Sequence, residues 1–105
     1  MVNQQTIIDI VRNFSNDILS LGIHLRKVVL FGSYAKNIPT EHSDIDVLLV
    51  ADEFTGFGFE DIALFTKVLR KYNNIHPKTI PPSDIIDSDP FIAEILKSGI
   101  EINLN

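Results

Sequence analysis

Asp44 and Asp46 stand one residue apart at the head of an apolar run, Val47-Leu48-Leu49-Val50. Ten residues separate the pair from Gly32-Ser33, which closes a second run, Lys27-Val28-Val29-Leu30-Phe31. The second run reads as a strand buried on both faces. Side chains alternate along a strand, so the two carboxylates share one face. Two like charges that close repel unless a cation lies between them. A divalent metal meets that need, because magnesium takes oxygen ligands and keeps positions that phosphate oxygens can fill.

The upstream half provides for the phosphate. Glycine at a turn lets backbone approach a ligand closely. Ser33 is a good N-cap for a short helical stretch over Tyr34-Ala35-Lys36, so its hydroxyl and the free amides of that turn would face an anion together. Strand, Gly-Ser turn, helical turn, loop and a strand with paired aspartates form one unit.

Gly32-Ser33, ten intervening residues and Asp44-x-Asp46 resemble the signature of the minimal nucleotidyltransferases, small members of the DNA polymerase beta-like superfamily. The resemblance runs from the first helix to the end of the chain. It implies a nucleoside triphosphate, most simply ATP, bound at Gly32, Ser33 and Lys36. It also implies one or two Mg2+ held by Asp44 and Asp46, and transfer of a nucleoside monophosphate to an acceptor. Bacterial members of similar length act as antitoxins that adenylylate a HEPN-type toxin, so a HEPN-type partner is implied here. Two departures stand out. Tyr34 and Asn37 occupy positions where many members carry arginine and glycine, and Tyr34 lacks the planar, permanent charge of that arginine. A third acid, expected on a later strand, falls at His76 in Asn74-Ile75-His76-Pro77-Lys78-Thr79-Ile80. Neutral imidazole is a poor magnesium ligand, yet it can serve as a base near neutrality. His76 is equally readable as a polar residue at a strand edge. Asp84, in a short helix capped by Ser83, and Glu94, on the solvent face of the last helix, do not replace the missing acid. Asp52 and Glu53 lie at the wrong end of their strand.

Composition bounds the remaining classes. The 105 residues, 45% hydrophobic, suffice for one core, so residues 1–105 are read as a single domain. The absence of cysteine excludes disulfides and thiolate zinc sites. No run approaches the roughly 20 apolar residues of a membrane span, and Met1-Val2-Asn3-Gln4-Gln5 has no signal-peptide character, so a cytoplasmic location is expected. A net charge of -5 without a basic stripe argues against an extended nucleic acid partner. A nucleotide arriving with its own metal needs only a local positive spot, which Lys36 and Lys78 can supply.

The apolar pattern predicts an α/β (α+β) domain, a small mixed sheet with helices packed on one face and the site on the other. Ile7, Val11, Phe14, Ile18 and Leu21 mark a first helix ending at Gly22. Strands are expected over Leu25–Phe31, Ile45–Val50 and Ile75–Ile80, the last an edge or bulged strand because of Pro77. One long helix over 60–72 presents Ile62, Phe65, Val68, Leu69 and Tyr72 to the sheet. Asp89-Pro90 opens a final helix ending at Lys97-Ser98-Gly99, before a short strand with Ile100, Ile102 and Leu104.

Phe54, Phe57 and Phe59, spaced by glycines, form either a cover for the core or a docking surface. His24 reads as a surface or packed residue, and His42 as a loop residue within reach of Asp44; neither has metal-ligand spacing to another histidine. A domain this small and open also leaves room for a homo-oligomer. Two functions follow. The chain is an enzyme that transfers a nucleoside monophosphate to a partner's hydroxyl, or a binding module that keeps the fold and acts by contact alone. Under the first, a chain too short for a separate acceptor-binding domain needs a partner to supply the acceptor and much of the pocket.

Overall fold

In the computed structural model, which describes residues 3–39, 44–87 and 89–104, helix α1 spans Gln4–Leu19. The Asn3 side chain caps it by accepting from the Thr6 backbone N–H at 2.8 Å. Ile7, Val11, Phe14 and Ile18 are buried as their spacing predicts, whereas Leu21 lies beyond the helix in a turn and is 48% exposed. The stripe therefore ends one residue type short, because periodicity cannot tell the last helical turn from the turn that follows it.

Strands β1 (Leu25–Phe31), β2 (Ile45–Ala51), β3 (Ile75–Ile80) and β4 (Ile100–Glu101) form one mixed sheet in the order β3-β2-β1-β4. β1 pairs antiparallel with both β2 and β4, while β2 and β3 run parallel. Pro77 sits in an edge strand, where its missing N–H can be tolerated. β4 is shorter than the alternation of Ile100, Ile102 and Leu104 suggests. After Glu101 the chain keeps a single hydrogen bond to β1, from Ile102 N–H to Val28 O at 2.8 Å.

The expected single helix over 60–72 is two short ones, α2 (Gly58–Ala63) and α3 (Thr66–Leu69). Leu64 and Phe65 donate to carbonyls three residues back, and Phe65 leaves helical geometry at φ -135°, ψ 26°. The Phe65 ring then packs against Phe14 and Phe54, with centroids 6.2 and 5.8 Å away. The residues predicted to face the sheet do so despite the break.

The largest departure concerns the second face of the sheet. Ile7, Val11, Phe14 and Ile18 of α1, with Phe65 and Val68, cover Val28, Leu30, Val47 and Leu49. Helices on that face alone would leave Val29, Leu48 and Val50 in water. Each such side chain is worth about 1.5–3 kcal/mol when buried. Helix α5 (Pro90–Ser98) covers them from the opposite face through Ile92 and Ile95, so helices pack on both faces and the site is confined to the part that α5 leaves open. Asp89 caps α5 by accepting from Ile92 N–H at 2.9 Å. The short α4 (Ser83–Ile86) has Ser83 inside it rather than at its cap, and no side chain caps it.

One hydrogen bond ties the two ends of the α1-side layer together. Tyr72 Oη donates to Asp17 Oδ2 at 2.6 Å. Burial, then the bond to and charge of Asp17, push the phenol up to about 12. Its folded value lies above its unfolded one, so the bond stabilises the protein below about pH 10 and is lost as pH rises toward 12. Tyr72→Phe is expected to destabilise by about 1.5 kcal/mol at neutral pH in urea unfolding, with the difference from wild type shrinking in strong alkali.

Candidate active site

The site begins with the register of the sheet. Phe31 at the end of β1 pairs with Asp46 on β2, and Asp46 pairs with His76 on β3, so the three residues form a row across three strands. Even-numbered side chains of β2 point toward the α5 side, where Leu48 and Val50 meet Ile92 and Ile95. Asp46 shares that face. Asp44 lies one pleat beyond, and its Oδ2 is 3.6 Å from His76 Nε2. His76 thus stands beside the aspartate pair where the third acid is expected, exposed and within electrostatic reach of both carboxylates.

Burial pushes the Asp46 carboxyl above its ordinary range; the positive charge available to His76 opposes that shift, and the neighbouring Asp44 charge reinforces it. The carboxylate at the centre of the row is therefore the one most in need of a cation.

Gly32 shows why the turn starts with glycine. Its φ is +78°, a left-handed conformation, and any Cβ would collide with the Asp46 carboxylate. The backbone of the turn and the central carboxylate are packed directly together. After Gly32 the chain runs through turns over residues 33–37 instead of the short helix that Ser33 was expected to cap. Lys36 N–H reaches Gly32 O at 3.2 Å, and Ile38 N–H reaches Ser33 O at 3.0 Å. Asn37, which replaces a glycine of the family pattern, has φ +57°. Asparagine tolerates that region better than most residues, so the departure preserves the backbone. Tyr34, where an arginine is common, packs partly onto the α1-side core. Gln4 Nε2 donates to Tyr34 O at 2.8 Å and anchors the turn to the start of α1.

Phe31, Gly32, Lys36, Asp46, His76 and Lys78 line one cavity of about 550 Å3, joined by Phe91, Glu94 and Ser98 of α5. That volume suits a small-molecule ligand. Both lysines named as the local positive spot are there. Ser33, next to Gly32, and Asp44, two residues before Asp46, are not among the residues that line the cavity. His42 and Ser43 lie outside the described residues. His24 is remote: its Nδ1 is 2.6 Å from Glu53 Oε2, next to a two-bond Arg26–Asp52 pair at the far ends of β1 and β2. Glu94 is exposed as expected, but toward this cavity. Its spacing from Phe91 and Ser98 was the available signal, since residues three, four and seven apart share a helix face.

The donors at this site are hard oxygens of the kind a divalent cation takes. Among the described residues no group of three or more His, Cys, Asp or Glu is arranged to hold a metal unaided. Magnesium, however, is usually bound through one or two carboxylates and completed by substrate phosphates and water. Asp44 and Asp46, hard oxygen donors on one face beside a Gly-Ser turn and two lysines, fit that pattern.

A family model described as the nucleotidyltransferase domain matches residues 11–102. The chain belongs to this family. It is a minimal nucleotidyltransferase of the DNA polymerase beta-like superfamily. Two similar proteins come from Methanocaldococcus jannaschii, both provisionally named protein adenylyltransferases. MJ0604 is 50% identical over 78 residues, covering 71% of this chain and 75% of its own. MJ0141 is 34% identical over 104 residues, covering 91% and 98%. The crystal structure of a provisionally named nucleotidyltransferase from Sulfolobus solfataricus superposes with a TM-score of 0.68 at 18% identity, over 93% of this chain and 80% of that one. That likeness concerns the nucleotidyltransferase fold. No helix among the described residues is long and apolar enough to cross a membrane.

Proposed function

We propose that this nucleotidyltransferase moves AMP from ATP to a hydroxyl of a partner protein, with a HEPN-type toxin as the partner, so that the chain serves as an antitoxin. The observation that carries the reading is the row Phe31–Asp46–His76, with Gly32 packed on its central carboxylate. The names of the two archaeal relatives support the adenylyl group and the protein acceptor.

Gly32 and Ser33 place the triphosphate, and Lys36 and Lys78 balance its charge from the cavity wall. Asp44 and Asp46 would hold Mg2+, which would supply positive charge to polarise the phosphate oxygens and offset the charge developing in transfer. The partner's hydroxyl oxygen attacks the α-phosphorus. The new O–P bond forms as the bond to the β-phosphate's bridging oxygen breaks, and pyrophosphate leaves. His76 takes the hydroxyl proton on its imidazole, and Asp44 at 3.6 Å steadies the resulting cation.

Calorimetric titration with ATP, with and without Mg2+, followed by transfer of α-labelled ATP to a purified HEPN-type protein, tests the proposal. Magnesium-dependent binding and label on the partner are expected, with Asp46→Asn lowering transfer at least about a hundredfold. Neutralisation of the partner unaffected by Asp44→Asn and Asp46→Asn would instead identify a module that acts by contact. Two observations favour that second reading: an imidazole where the third acid belongs, and Phe57 and Phe59, which are 61% and 80% exposed while Phe54 tucks into the core.

A further inference from the structure

The cavity has a wall that phosphate and metal chemistry leave unused. Phe91, Glu94, Ile95 and Ser98 of α5 face it at spacings of three, one and three residues, a single stripe of the helix. Ile95 belongs to the core, but Phe91 is 54% exposed. The Phe91 ring is nevertheless fixed. It stands edge-to-face on Phe31 with centroids 6.0 Å apart at 84°, and Lys78 Nζ lies 5.6 Å from its centroid. A flat, partly exposed ring held in place in the wall of this cavity is a stacking platform.

Glu94 narrows what can stack there. Its carboxylate has no hydrogen bond or ion pair among the described residues. Beside phosphates it would repel the ligand, so the phosphates belong at the Gly32, Lys36 and Asp46 end and Glu94 faces the ligand's other end. Ser98 Oγ already donates to Glu94 O at 2.8 Å, which leaves the carboxylate as the main polar reader of this wall. A carboxylate only accepts, so it selects for a donor group.

We propose that the α5 wall is the nucleobase subsite, in which Phe91 stacks on a purine and Glu94 accepts a hydrogen bond from its exocyclic amino group, making an amino-bearing purine the favoured base. This rests on the reading of the cavity as a triphosphate site, and assigns to it a specificity that the Gly-Ser turn and aspartates cannot provide.

The test is calorimetric titration, with Mg2+ present, of wild type, Phe91→Ala, Glu94→Ala and Asp46→Asn. The ligands are ATP, purine riboside triphosphate (which lacks the amino group), 2′-deoxy-ATP and tripolyphosphate. Both α5 side chains are exposed enough for the variants to keep the fold, which thermal melts verify. Phe91→Ala is expected to weaken both purine nucleotides about tenfold and leave tripolyphosphate unchanged. Glu94→Ala is expected to weaken ATP about tenfold and purine riboside triphosphate hardly at all, so that discrimination between them collapses. Discrimination that survives Glu94→Ala overturns the subsite, as does a Glu94→Ala effect confined to the distinction between ATP and 2′-deoxy-ATP. In either case, binding that Asp46→Asn still abolishes leaves the triphosphate reading standing. A wild type that binds no nucleotide overturns both.

Discussion

Gly32→Ala is expected to remove magnesium-dependent nucleotide binding and to lower transfer by two orders of magnitude or more, while the chain still folds. The alanine methyl has nowhere to go except into Asp46, whose Cγ lies 3.2 Å from the ideal Cβ position. Relief requires that the carboxylate swing aside or the turn retreat, and either movement separates the phosphate cradle from the acid it serves. Holding an alanine at φ +78° adds about 1–2 kcal/mol of strain, a loss most domains survive. The expected signature is thus a modest fall in melting temperature beside a complete loss of binding in calorimetry. An alanine variant that binds ATP within a few fold of wild type would separate the turn from the site and remove the basis for assigning the phosphates to it.

Asp61→Asn is expected to have the largest effect on stability, about 2–4 kcal/mol, from a residue outside the site. Asp61 is 1% exposed, and its two carboxylate oxygens gather the Thr55 and Gly56 backbone N–H groups and the Thr55 and Thr79 hydroxyls at 2.7–3.1 Å. Asparagine keeps the shape, but one of its two ends donates and would confront donors. Burial alone would raise the Asp61 carboxyl, but the bonds from Thr55, Thr79 and Gly56 outweigh it and hold the group below its ordinary value. A depressed folded value stabilises above the unfolded pKa of about 3.9, and the contribution disappears as pH falls through the folded value. Urea unfolding between pH 7 and pH 2 should show wild type losing its advantage over Asp61→Asn only in acid below about pH 4. An advantage that persists to pH 2 would mean that the bonds do not depend on the charge.

Much of this architecture is legible in residue order, for identifiable reasons. Leu25–Phe31 and Ile75–Ile80 are bounded by sharp changes from apolar residues to turn formers, and Asp89-Pro90 is a helix start because an N-cap acceptor and a preset φ coincide. Periodicity reports which face of a helix is apolar but not which face of the sheet receives it, so although the run 27–31 reads as buried on both faces, nothing in residue order says that α5 supplies the second cover. It is equally blind to the break at Phe65, because the buried positions on either side keep nearly helical spacing. Within the site, Gly32, Lys36, Asp46 and His76 could be brought together by motif and strand order. Phe91 and Glu94 could not, since their meeting with β1 and β3 depends on a helix added later in the chain. Asn37 illustrates the opposite error: a side chain that departs from the family pattern serves a backbone angle that does not.

His76 and Lys78 reach the site from β3, a strand paired on one side only and carrying a proline that cannot donate to the ladder. β1 and β2, by contrast, form a local antiparallel pair in the middle of the sheet, whereas β3 joins β2 only after a crossover through α2 and α3. Contacts that close long loops form late, and edge elements open at lower free energy than the whole fold. Asp46 and the glycine turn therefore sit on the central strand pair, which is expected to open last, while the imidazole sits on an edge strand, which is expected to open first. A partially open molecule would retain its acidic pair and lose its proton acceptor, and a ligand bridging β2 and β3 would act as the clasp that holds the edge strand closed.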